Sequence, residues 1–181
     1  MVRSFVVVCF VLALAIPSFA QEDYPRIQTS MAYANLGFVN FGSTSSTLET
    51  KRHSGFANST GFNLTRVWGL ENYMGIYSLG GGVTLIADTF GGKATYRAAR
   101  IAPYALGAIG VGYFTSSTSY GYSSTSSFAT RFGAGVDVPI NDSMAWKVEV
   151  SRMGFHIQTS PSSGWTNGTN IQTGVVFTLS N

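Results

Sequence analysis

Two histidines set among many serines offer the first chemistry to weigh. His53 is followed directly by Ser54, and His156 lies just ahead of Ser160. A hydroxyl beside an imidazole, with an acid to orient the ring, is the constellation of a serine nucleophile. Serine is so frequent in this chain that neither pairing carries specificity, and a pair of surface histidines is the plainer reading. With two histidines in separate segments, neither a metal site nor a cofactor is expected. Gly80-Gly81-Gly82 and Gly107-Ala108-Ile109-Gly110-Val111-Gly112 lack the spacing, the following helix and the acidic residue of a nucleotide-binding loop. No catalytic residue is therefore assigned.

Seven charges say more: Glu71, Lys93, Arg97, Arg131, Asp137, Lys147 and Glu149. Each falls in a segment where apolar residues alternate with small or polar ones, so each is expected to share the polar face. From Phe128 the even positions read Phe, Thr, Phe, Ala, Val, Val, and the odd ones read Ala, Arg, Gly, Gly, Asp. Met144, Trp146, Val148 and Val150 likewise oppose Ala145, Lys147, Glu149 and Ser151. This is the period of a β-strand with one oily and one polar face.

Eight such segments are expected, near residues 26–38, 56–65, 70–79, 89–97, 104–114, 128–138, 144–151 and 170–179. Short turns near 66–69, 98–103 and 139–143 alternate with longer stretches, 39–54, 80–87, 115–126 and 157–169, rich in Ser, Thr, Gly and Asn. Trp68, Tyr96, Tyr104 and Trp146 fall beside the short turns, where a membrane-interface girdle would sit.

The chain opens with Met1-Val2-Arg3, an apolar run from Phe5 to Ile16, and Ser18-Phe19-Ala20. That pattern predicts a secretory signal peptide over residues 1–20, cut before Gln21. The apolar run is short for a spanning helix. Cleavage would remove Cys9, the one cysteine, leaving 161 residues without a thiol and so without a disulfide. Only 10% of the residues are charged and 14% are aromatic, against about a quarter charged in ordinary soluble domains. A water-exposed surface calls for more charge than this. After residue 20 no apolar run reaches helical membrane length, since Ile101 to Phe114 is interrupted by Pro103 and glycines. If the chain enters a bilayer it does so as strands. Eight strands leave about 20 residues per strand and connection, whereas sixteen leave about ten, too few for the crossing and its link. The expected fold is all-β, a single eight-stranded antiparallel up-and-down transmembrane barrel over residues 21–181.

Several tracts carry a resemblance: His53-Ser54-Gly55-Phe56-Ala57-Asn58, Gly92-Lys93-Ala94-Thr95-Tyr96-Arg97, Pro103-Tyr104-Ala105-Leu106-Gly107-Ala108, Gly133-Ala134-Gly135-Val136-Asp137-Val138 and Thr173-Gly174-Val175-Val176-Phe177. With them the chain resembles the small outer-membrane protein beta-barrel families, of the OmpA-like eight-stranded membrane-domain type. The resemblance implies residence in the outer membrane of a Gram-negative cell, with periplasmic termini. It also implies lipid and lipopolysaccharide as neighbours and handling by the barrel-assembly machinery. Such chains typically end on an aromatic residue, but here Thr178 to Asn181 follow Phe177.

Three roles remain open at this point. A non-catalytic monomer with a structural or surface-interaction role has its lumen charges locked as a static plug. A narrow, porin-like conduit for small or hydrophobic solutes would switch those pairs as a gate. A lipid A-modifying enzyme would use His156 with Ser160 or His53 with Ser54, and is the least favoured. The small net charge, ten basic against eight acidic residues after residue 20, asks for no nucleic acid. A soluble lipocalin-like barrel would show the same alternation with its faces exchanged.

Overall fold

A computed structural model of the chain describes residues 24–39, 50–98, 100–118, 121–159 and 162–180. The expected signal peptide with Cys9, and Ser160, lie outside these residues.

Eight strands follow in order: β1 (Ile27–Val39), β2 (Thr50–Asn63), β3 (Trp68–Gly80), β4 (Val83–Thr95), β5 (Ala102–Thr118), β6 (Gly121–Asn141), β7 (Met144–Thr159) and β8 (Ser162–Ser180). Each pairs antiparallel with the next, and β8 returns to β1, so the sheet closes without an edge. The all-β, eight-stranded up-and-down barrel read from the alternation is the fold.

At one end the connections are tight turns. Thr65 Oγ1 accepts from the backbone N–H of Trp68 at 2.9 Å between β2 and β3, and Asn141 Oδ1 accepts from Ser143 N at 2.9 Å between β6 and β7. These side chains replace backbone partners that the reversal removes.

The other end departs from expectation. Residues 80–87 are not a long loop. Gly81 and Gly82 alone link β3 to β4, with Gly80, Gly81 and Gly82 at φ of 80°, 60° and 76°, a left-handed run that only glycine adopts cheaply. Residues 115–126 and 157–169 are largely strand as well, with Thr118 opposite Gly121 and Thr159 opposite Ser162. Serine and threonine there mark immersion in water rather than irregular backbone, because the ladder still satisfies every N–H it pairs. This end is called the hairpin end below, the other the turn end.

The two faces are unambiguous. Met31, Phe56, Met74, Phe90, Ile109, Phe132, Val150 and Ile171 are exposed on the outer wall. Arg131, Lys147 and Glu149 are buried in the lumen, at most 1% exposed. A soluble carrier needs the opposite arrangement, since water would face a continuous apolar belt.

Candidate functional site

The lumen holds the charge cluster. Glu71 on β3, Lys93 on β4, Arg131 and Asp137 on β6, and Lys147 and Glu149 on β7 all project inward because each shares its strand's inward parity. The Arg131 guanidinium bridges two carboxylates, reaching Glu71 Oε1 at 3.1 Å and Glu149 Oε1 at 2.5 Å. Lys147 Nζ lies 3.5 Å from Glu149 and 3.8 Å from Glu71. Lys93 Nζ lies 3.4 Å from Glu71 and 3.6 Å from Asp137. Three cations thus face three anions, with every charge in contact with at least one of opposite sign. Neutral groups complete the set: Lys147 donates to Ser59 Oγ at 3.3 Å and Tyr104 OH donates to Glu149 Oε2 at 2.9 Å. Lys93 Nζ stands 3.8 Å from the Tyr104 ring centre, and the Arg131 guanidinium 3.9 Å from that of Tyr73, so both cations also rest on aromatic faces.

Two expectations are corrected. Arg97 is not in this cluster. It lies past the end of β4, donates to the carbonyl of Arg66 and sits 5.8 Å from the Tyr24 ring centre, at the rim of the turn end. The strand stops at Thr95, so the alternation that would carry Arg97 inward has ended. Tyr104 is not on the outer wall with Trp68, Tyr96 and Trp146, which are 58%, 72% and 50% exposed. It is 4% exposed and shares the inward face of β5 with Leu106 and Ala108. Gly135 makes this possible, because a Cβ there would strike the Tyr104 ring and Val148 O.

Above the charges, toward the hairpin end, lies a layer the charge pattern did not announce. Tyr73 and Tyr77 bond to each other through a short hydroxyl–hydroxyl contact. Tyr77 OH donates to Asn170 Oδ1 at 3.1 Å, and Asn170 Nδ2 donates to Ser151 Oγ at 3.4 Å. Beyond them Leu36, Leu85, Met153 and Phe155 are fully buried, and Phe114 meets Phe155 edge to face at 5.6 Å between ring centres. Tyr73 and Tyr77 were legible in principle, since they share the parity of Glu71 on β3.

The turn-end side of the cluster contains a polar cavity of about 10 Å³ lined by residues including Gln28, Ser30, Ser59, Asn63, Glu71 and Lys147, room for about one water.

The histidine pairings do not form at Ser54. His53 faces inward, its Nδ1 3.2 Å from Ser78 O. Ser54 faces outward, its Oγ 2.7 Å from the Tyr33 hydroxyl. Neighbours on a strand point to opposite faces. The His156 ring packs on Trp165 at 5.3 Å between centres, on the outer wall.

The family model for the outer membrane protein beta-barrel domain matches residues 6–178. The chain belongs to that family. Neisserial surface protein A shares this barrel's fold at 12% identity and a TM-score of 0.64, over 84% of this chain and 96% of that one. The N-terminal β-barrel domain of Pseudomonas aeruginosa OprF aligns at 14% identity, over 81% and 96%, with a TM-score of 0.49. Ail, the attachment invasion locus protein of Yersinia pestis, aligns at 13%, over 83% and 96%, with a TM-score of 0.46. No curated protein matches this outer-membrane barrel closely enough to lend it a function. Residence in the outer membrane follows from the family.

Proposed function

We propose that this barrel is a closed, non-catalytic anchor that presents its hairpins at the cell surface for non-covalent contact. The observation behind this is the two-layered lumen. A switching gate needs an aqueous route once its ion pairs exchange partners. Here the buried Leu36–Leu85–Met153–Phe155 layer stands in series with the charges and offers a permeating ion no polar partner, so in this reading the ion pairs act as a static plug.

The hairpin end supplies the contact surface. Residues 115–127 carry no charge, are dominated by Ser and Thr, and expose Tyr122 at 72%. Such hydroxyl- and tyrosine-rich ribbons suit neutral polar partners. A surface place agrees with the name of Neisserial surface protein A. In this reading residues 1–20 are a cleaved export signal, the termini are periplasmic, the assembly machinery inserts the chain, and the barrel is a monomer with Trp68, Tyr96 and Trp146 at the inner lipid interface.

Two measurements test it. Refolded protein in planar bilayers should show no unit conductance, and Arg131→Gln or Lys147→Gln alone should not open it. Stepwise conductance lost on those substitutions would favour the conduit instead. A membrane-impermeant maleimide should label Tyr122→Cys but not Asp142→Cys on intact cells, and the reverse pattern would invert the orientation.

A further inference from the structure

Two opposite charges on the outer wall remain outside everything above. Asp88 on β4 and Arg152 on β7 are exposed, and their parity turns both toward lipid. Asp88 Oδ1 accepts from Asn72 Nδ2 at 3.0 Å, and Arg152 Nη1 lies 3.4 Å from Thr169 Oγ1. Among the described residues, neither is within ion-pair distance of an opposite charge. A carboxylate accepts up to about four hydrogen bonds and a guanidinium donates up to five, so one neutral contact each leaves most of that capacity unused.

The register sets their heights. The line of paired residues that leaves β1 at Ile27 crosses β4 at Gly92 and β7 at Arg152, and comes back to β1 at Gly37, ten residues nearer the hairpin end. A closed barrel spreads that stagger evenly, about one and a quarter residues of rise per strand. Arg152, three strands beyond Gly92, therefore stands about 3.75 residues above it. Asp88 stands four residues above Gly92 on β4 itself. A strand tilted by about 40° climbs roughly 2.5 Å per residue, so the two charges share one level to within about 1 Å. On the same scale both lie about 18 Å above Trp68 at the turn end, inside an apolar band about 25 Å tall.

Hydrocarbon offers neither charge a partner, and ions persist at such depth where something pairs them. Arg152 is long enough to bend its head toward the headgroups, but the short Asp88 side chain cannot reach them. Nor do the two meet within one chain, because three of eight strand steps set them about 135° apart around the barrel. A second copy inserted in the same direction supplies what is missing, since it carries the opposite charge at the same depth. The surroundings suit such a contact. Met74 and Val111 oppose Asp88 on the neighbouring strands, and Phe132 opposes Arg152. These apolar side chains are exposed and would keep the pair dry.

We propose that Asp88 of one barrel pairs with Arg152 of the next, joining copies of this chain side by side in the membrane. The two residues lie on different faces, so the contact is head to tail and repeats from copy to copy into rows or rings. Each barrel stays a complete monomeric fold, and the association gathers the hairpin ends at the surface.

Energy transfer between refolded barrels in phospholipid vesicles tests this. The chain from residue 21 carries no cysteine, so Tyr122→Cys takes a donor or an acceptor dye on the hairpin. At high lipid dilution, barrels with both charges intact should associate at least tenfold more tightly than Asp88→Asn alone or Arg152→Gln alone. Donor-labelled Asp88→Asn mixed with acceptor-labelled Arg152→Gln should recover the transfer, because the first keeps Arg152 and the second keeps Asp88. Transfer at the random level with both charges intact, or unchanged by either substitution, overturns the contact. Mixed variants that stay apart overturn the pairing of these two residues. Loss with Arg152→Gln but not with Asp88→Asn overturns the second copy and assigns Arg152 to lipid. Both side chains are exposed, so the variants should fold, which the faster migration of unboiled protein on a gel confirms. Maleimide labelling at Tyr122→Cys on intact cells reads the orientation separately, so failure of the pair leaves the proposed display role standing.

Discussion

Arg131 is the residue on which the lumen turns. Its guanidinium is the one group in contact with both Glu71 and Glu149 at hydrogen-bonding distance. Replacing it with methionine keeps much of the volume but leaves two buried carboxylates short of a partner. Breaking a buried pair from one side typically costs roughly 3–5 kcal/mol, whereas replacing all partners by neutral groups is often near-neutral. Arg131→Met should therefore lower unfolding free energy in lipid vesicles by roughly that amount, read by urea titration. Adding Glu71→Gln to Arg131→Met, which leaves Lys147 paired with Glu149 and Lys93 with Asp137, should recover most of it. A double variant as unstable as the single would show that packing, not charge, holds this layer. Gly135 is the quieter counterpart: Gly135→Val intrudes on the Tyr104 ring and should cost about 1–3 kcal/mol through overpacking, measured in the same titration.

At the scale of the element, connections distinguish this chain most. The β3–β4 link turns on three consecutive glycines with positive φ. A Cβ at Gly82 would also collide with Ser117 O on the neighbouring hairpin, where Ser117 N donates to Gly82 O at 3.0 Å. Gly81→Ala should cost about 1–2 kcal/mol from the left-handed backbone alone, since open space surrounds it. Gly82→Ala should cost more, because strain and collision add. Refolding yield and urea midpoint check both, and equal effects would mean that the collision relaxes freely. The extended β5–β6 and β7–β8 ladders, by contrast, stand in water on hydroxyl-bearing residues, where substitution of single side chains disturbs little packing.

For the whole molecule, the outer belt decides where the barrel lives. Phe132 is 59% exposed midway along the outward face of β6. An arginine near the bilayer midplane on a barrel wall costs roughly 2–4 kcal/mol. Phe132→Arg should therefore reduce vesicle-folded stability by about that amount, while Tyr122→Arg on the hairpin should leave it unchanged. Similar responses at the two positions would mean that Phe132 does not meet lipid. Closure by β8 on β1 joins the first and last strands, so both variants sit in one continuous sheet.

Alternation and low charge together determine the architecture: a period of two reports which residues share a face, and scarce charge reports that the larger face avoids water. Parity also placed Glu71, Lys93, Arg131, Asp137, Lys147 and Glu149 on one side of the sheet. Local sequence does not say where each strand stops, so parity alone carries Arg97 inward past Thr95 and leaves the hairpin ladders indistinguishable from loops. It could not pair Tyr104 with the space at Gly135, nor stack the Tyr73–Tyr77–Asn170 layer under Phe155. Nor could it set β1 against β8, because register between strands far apart in sequence is set only when the sheet closes and every backbone group must find its partner.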